Sequence, residues 1–370
     1  MARNRYHIAV VSFAALTVAA VLARADEPAA SLKQGNPDLK SAGPLAFGPD
    51  GILFVGDTRG AALFAIDTGD RGTATDKRAI EVKDVGAKLA AMLGTNPKQI
   101  MINDMAVNPL SGNVYLSLSR GRGPDATPLL VRVNADAKIE EVPLEKIRFA
   151  KAEIPNAPDP NAQQRGQSLR NESITDLAYM DGRVFLAGLS NEEFSSRLIA
   201  IPFPFSSAGV DGASIEIYHG SHGKLETKSP IRTFVTYMMQ NEPTMLAAYT
   251  CTPLVKVPLS ELKAGSHVKG TTIAELGNRN RPLDMIVYQK DGKDYLLMSN
   301  NSRGVMKIPT EGAGTAPGIV HQVPDKQGIS YETVADLKGV VQLDRLDDRR
   351  AVLVQQDPSG SIDLKTVELP

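Results

Sequence analysis

The chain of 370 residues has one cysteine, Cys251, and no tryptophan. One cysteine excludes an intramolecular disulfide, so stability has to come from a packed core. With aromatic residues at 5%, that core falls to Val, Leu, Ile, Ala and Met. The formal charge is −1 and no Lys/Arg run stands out, which removes the electrostatic case for nucleic acid or for a membrane patch. Beyond the N-terminus no apolar stretch is long enough to span a bilayer. There is no Ser-His-Asp order, Gly-rich phosphate loop, Cys-x-x-Cys-His haem site or dinucleotide fingerprint. "RGRG" (120–123) is too short for an RNA-binding segment.

The N-terminus is the exception to the lack of apolar runs. Arg3 and Arg5 precede "IAVVSFAALTVAAVLA", and Ala23 and Ala25 supply the small residues of a cleavage site. This pattern predicts an export signal over residues 1–25, cut before Asp26, and a periplasmic or secreted protein with no stable membrane insertion afterwards. Residues 26–370 then form one domain.

What is abundant is repetition. "GPLAFGPDGILFVGDTRGAALFAIDT" (43–68) reads as three short strands around a Pro-Asp-Gly turn, and the order returns at 102–135, 174–204, 231–259, 282–309 and 334–369. Alignment on the first strand places Leu45, Met105, Leu177, Phe234, Met285 and Leu337 in register. Short β-rich runs at this spacing predict an all-β, six-bladed β-propeller of four-stranded blades. Fourth strands are expected at 77–82, 138–144, 214–219, 270–276 and 318–323. The sixth unit stops at its third strand, so an N-terminal strand around 29–35 is expected to close the ring and remove an open edge. Residues 84–101 and 148–172 fit the blades poorly and are expected as insertions on one face of the disc.

The phrases "NDMAV…GNVYLSLSRG" and "PLDMIVYQKDGKDYLLMSNNSRGVMKI" resemble the NHL and gluconolactonase/paraoxonase group of six-bladed propellers. The resemblance implies the same fold. It also implies a calcium-dependent lactone or ester hydrolase in which Asn and Asp at the starts of the inner strands hold the cation. Asn103, Asp104, Asp284 and Asn300 match that chemistry in type, with Asp176 and Asp336 in the same ring of acids. The first blade has "SAGP" where those families carry an acid. A structural reading stands beside this one: the repeated Asp residues bond backbone amides of the neighbouring blade.

Strand counting puts a second set of residues on the same face. The B–C loop of the fourth unit carries Cys251, and the connection before that unit carries His219 and His222. A thiolate with two imidazoles suits copper first, or zinc, and Tyr249 would be a phenol beside it. A buried cysteine as a small hydrophobe is the plain alternative. Arg232 and Arg281, with Arg279 nearby, bring positive charge to the mouth and would clamp a carboxylate or phosphate, or neutralise the acid ring. Three functions follow. The first is an exported propeller using a His/Cys-bound metal for redox chemistry on a small molecule, with Tyr249, Arg232 and Arg281 at the reaction. The second is the calcium-dependent hydrolase. The third is a non-catalytic propeller that binds a ligand or a protein partner.

Overall fold

The computed structural model describes residues 31–370, except 73–76, 207–209 and 252. The expected export signal lies outside the described residues. Among the described residues no helix is long and apolar enough to cross a membrane.

Each repeat folds into an antiparallel blade, and six blades form a ring. Numbered by their place in the sequence, the inner strands are Leu45–Phe47, Ile100–Val107, Asp176–Met180, Ile231–Met239, Pro282–Lys290 and Val340–Arg345. The ring order differs from the chain order: blade two sits between blades six and one, so the circle runs two, one, three, four, five, six. Six apolar clusters, one at each interface between ring neighbours, make up the core.

The alternation of the strands produces this arrangement. In Ile52–Asp57, Ile52 and Phe54 enter the cluster shared with blade three. Leu53 and Val55, on the opposite side of the strand, enter the cluster shared with blade two. All four are fully buried, each contributing about 1.5–3 kcal/mol of burial free energy. Strands that are apolar on both sides are therefore what a blade between two neighbours requires.

The structure corrects four expectations from the sequence. Residues 77–82 do not complete blade one. Glu81–Val82 pairs with Ile362–Glu368 and is the outer strand of blade six, held by Ile80 N–H donating to Thr366 Oγ1 at 2.8 Å and by Asp84 N–H donating to Asp363 Oδ1 at 2.8 Å. Blade one takes Ile147–Glu153 as its fourth strand, paired along Ala62–Asp67, so these residues are not an insertion. The segment Lys33–Gly35 adds a fifth strand to blade one. The closing strand thus comes from the N-terminal part of the chain, but not from 29–35. Residues 318–323 form no strand; Glu332–Thr333 completes blade five. Alternation tells a strand from a loop, but several short amphipathic strands fit any one outer slot equally well.

The segment from Asp67 to Ile80 must cross blade two to reach blade six. Asp70 pins that crossing: its Oδ2 accepts Ser111 Oγ–H at 2.8 Å, Asn113 Nδ2–H at 2.9 Å and Tyr115 O–H at 3.0 Å. Burial opposes ionisation of Asp70, yet the bonds from Asn113, Ser111 and Tyr115 outweigh it and hold the pKa below the usual carboxylate value. On the other side of the ring, the helix Val85–Met92 packs Val85, Leu89 and Ala90 against blades six and two.

Candidate functional site: the central channel and its two mouths

The acids of the inner strands meet at the waist of the channel. Asp104, Asp176 and Asp284 lie on blades two, three and five, which are alternate positions in the ring. Each accepts a backbone N–H from the next blade round: Leu45 for Asp104, Phe234 for Asp176 and Leu343 for Asp284, all at 2.7 Å. Asp176 and Asp284 also accept the N–H of the following residue at 2.7 Å. The three carboxylates therefore stitch alternate pairs of blades together, as the structural reading of the repeated Asp expects.

The register of the inner strands follows from these bonds. Leu45, Met105, Leu177, Phe234 and Met285 are equivalent, as aligned from sequence, but the sixth member is Leu343 rather than Leu337. Asp336 accordingly falls out of the ring, exposed in a turn. Its position is taken by Gln342, whose amide, oriented to suit the network, donates to Asp284 Oδ2 at 2.8 Å and Asp104 Oδ1 at 2.9 Å. Asp344 sits one residue further along, accepting Val107 N–H at 2.7 Å. "VADLKG" resembles the other anchors closely, and nothing local to it marks the later "VVQLDR" as the strand.

Removal from water dominates the electrostatics at the waist. Burial pushes Asp176 up to about 7 and Asp344 to about 6. Asp104 and Asp284 are raised well above the ordinary carboxylate range, by burial first and then by charge repulsion, Asp104 from Asp176 and Asp284 from Asp104. The trio therefore gives up its protons at higher pH than free carboxylic acids do. Each of its carboxylates is already engaged by backbone amides, as a structural role requires. Asn300 is also committed, its Oδ1 accepting Ser302 N–H at 3.1 Å and Arg303 N–H at 3.0 Å. Asn103 donates to Ala42 O at 2.7 Å and to Ser119 Oγ at 2.9 Å.

The two ends of the channel differ in charge. On the face of the B–C loops a cavity of about 500 Å³ is lined by Arg59, Arg122, Arg232 and Arg281 against one carboxylate, Glu172. A neck of about 260 Å³, lined by Arg232, Arg281 and the three Asp, joins this mouth to the waist. The opposite vestibule, about 470 Å³, is lined by Lys77 and Arg345 against Asp344, Asp347 and Asp348 as well as the trio. One mouth is thus cationic and the other acidic, on a chain that is nearly neutral.

At the cationic mouth, Arg232 is largely buried, pairs with Glu172 and donates Nε–H to Thr250 Oγ1 at 3.1 Å. Burial lowers the Arg232 pKa; Glu172 raises it, and the nearby Arg281 lowers it again. Arg281 is exposed, and its backbone N–H is held by Asn301 Oδ1 at 2.7 Å. Arg59 and Arg122 bond loop carbonyls of blade two, Arg59 those of Pro124 and Ala126 and Arg122 that of Lys98. Chemically, this mouth gathers guanidinium groups above carboxyls whose proton affinity burial has raised.

The expected His/Cys metal site does not assemble. Cys251 is half-buried in the turn before Pro253–Pro258, at φ +62°, with its N–H donating to Asn280 O at 2.8 Å. It is not a member of the group formed by the histidines, whose third ligand is Glu226. Nor is that group at the mouth. His219 ends Asp211–His219, the outer strand of blade three, so the group lies on the rim. Tyr249 is fully buried in the core between blades three and four, its pKa pushed up by burial. Strand counting found the face but not the radius: the D strand is the outermost, so its end is far from the axis. Glu226 was missed because the short strand Lys224–Glu226, which folds back on His219, carries too few residues to show a period.

No family model and no curated protein matches the sequence. Among solved structures, the chain is similar to a protein described as a putative oxidoreductase (glucose dehydrogenase) from Thermus thermophilus. The identity is 11% over 91% of this chain and 100% of that one, with a TM-score of 0.35. It is similar to the PQQ-bound aldose sugar dehydrogenase of Streptomyces coelicolor at 11% identity over 91% and 96% of the two chains, TM-score 0.30. It is also similar to Drosophila Plexin A, solved with Semaphorin 1b, at 11% identity over 92% and 87%, TM-score 0.38. These neighbours include dehydrogenases and a plexin, and at such identities and scores their likeness carries no argument about activity.

Proposed function

We propose that this propeller binds a small anionic molecule, a carboxylate or phosphate compound, at its cationic mouth. The supporting observation is that Arg232 and Arg281 share the neck above the waist while Glu172 alone offsets the arginines of the mouth. Guanidinium groups match carboxylate and phosphate geometry, and one on a strand start and one on an exposed turn allow two-sided grip. The three protonated acids below would donate hydrogen bonds to the ligand's polar end. We also propose export by residues 1–25, checked by the mass of the mature protein.

The redox reading needs a metal at the mouth, and the histidine pair is on the rim, so it is not the reading favoured. The calcium-dependent hydrolase of the gluconolactonase/paraoxonase type is disfavoured because oxygens of Asp104, Asp176, Asp284 and Asn300 accept backbone amides. Calorimetric titration with succinate, citrate and inorganic phosphate at low salt tests the proposal. At least one should bind, weaken with added salt, and lose about tenfold or more in affinity on Arg281→Ala. Absence of binding by all three, or binding indifferent to Arg281→Ala, would count against it.

A further inference from the structure

We propose that His219, His222 and Glu226 bind one borderline divalent cation, zinc or copper(II), on the rim between blades three and four. The chain makes this site with a reversal. Asp211–His219 ends at His219, a single turn spans Gly220–His222, Gly223 takes φ +64°, and Lys224–Glu226 pairs back along the strand. Gly223 is needed twice over, because a Cβ there would lie 3.2 Å from the Gln322 side chain.

The reversal brings both imidazoles onto one carboxylate. His219 Nδ1 lies 3.0 Å from Glu226 Oε2 and His222 Nδ1 lies 2.7 Å from Oε1, with the rings 3.9 Å apart. The three ligand atoms are all within 4.8 Å of one another, the one such His/Cys/Asp/Glu group among the described residues. An ion would lie about 2.0–2.2 Å from each. Two nitrogens and one oxygen suit zinc or copper rather than calcium. Ser229 Oγ–H donates to Glu226 Oε2, so a further hydrogen bond orients the carboxylate.

A second, independent observation concerns the atoms around the turn. Of nine buried side-chain atoms without a hydrogen-bond partner among the described residues, three cluster here: His219 Nε2, Ser221 Oγ and Glu275 Oε2. His219 is 2% exposed, and Glu275 Oε1 accepts Gly220 N–H at 2.6 Å from blade four. An ion on His219 Nδ1 puts the ring proton on Nε2, and a buried acceptor beside the turn is the partner such a proton needs. Three protein ligands leave a fourth position open, and His222, the exposed member, gives access to it.

The full chain, stripped with a chelator and dialysed, is titrated calorimetrically with zinc sulfate and, separately, copper sulfate and calcium chloride. One equivalent of zinc or copper should bind, with a rise in melting temperature. Affinity should fall at least tenfold in His222→Ala and in Glu226→Gln and stay unchanged in Cys251→Ser. Circular dichroism checks that each variant is folded, and the exposed His222 guards against a variant that fails through misfolding. No stoichiometric uptake of zinc or copper, equal uptake by the folded His222→Ala variant, or loss of uptake on Cys251→Ser would overturn the assignment. Binding of calcium alone would overturn it as well. None of these outcomes bears on the anion site at the mouth.

Discussion

Asp104 of blade two accepts the backbone N–H of Leu45 in blade one at 2.7 Å, across 59 residues of sequence. The bond runs from the later repeat back to the earlier one, against the direction seen from Asp176 to Phe234 and from Asp284 to Leu343. That reversal is the signature of a ring whose second repeat was laid down between the last and the first.

The waist acids set a pH dependence. Their folded pKa values are raised, Asp176 to about 7 and Asp344 to about 6, so between the ordinary carboxylate range and about pH 7 the folded chain holds more protons than the unfolded one. The stability this contributes should therefore be fully present below about pH 4, be lost as pH rises from there through about 7, and level off above. Asp176→Asn, which mimics the protonated acid, should flatten the decline by on the order of a few kcal/mol. Urea melts at pH 5 and pH 8 measure it, and an equal pH slope in variant and parent would contradict the burial argument.

Asp70 is predicted to be among the costliest surface-loop positions to change. Asp70→Ala leaves Ser111, Asn113 and Tyr115 without their shared acceptor, a loss of about 2–4 kcal/mol. Chemical denaturation checks it; a loss below about 0.5 kcal/mol would mean that the crossing segment is not held there.

Ring closure makes a paired prediction. Val82 is fully buried on the closing strand, so Val82→Asp should cost about 3 kcal/mol or more. A chain starting at Asn36 loses the fifth strand of blade one and the buried Leu32 before it, and should lose about 2–3 kcal/mol. The reverse ranking would restore the closure first expected from residues 29–35.

Much of this architecture is legible in the residues, because blade cores need alternation and turns need Gly, Asn and Asp. Five of the six anchor positions align from sequence alone. The misplaced sixth, Leu337 for Leu343, shows the limit: both are leucines in similar apolar company, and only the inter-blade amide bonds separate them. Ring order escapes the sequence for the same reason, since Glu81–Val82 and Ile147–Glu153 carry no mark of which blade they join. At the candidate sites, residue types were informative and distance was not. His219 and His222 do share a carboxylate, but Cys251 does not share it, because radius from the axis depends on which strand a residue ends.

The anion site is tested most directly by location. Crystals of the protein soaked in sodium selenate, a scatterer with the shape of phosphate, give an anomalous map in which a bound ion is placed without reference to activity. The account predicts a peak in the neck between the Arg232 and Arg281 guanidinium groups, absent from crystals of Arg281→Ala. A map with no peak at that mouth, or with its peak in the vestibule beside Lys77 and Arg345, would contradict it.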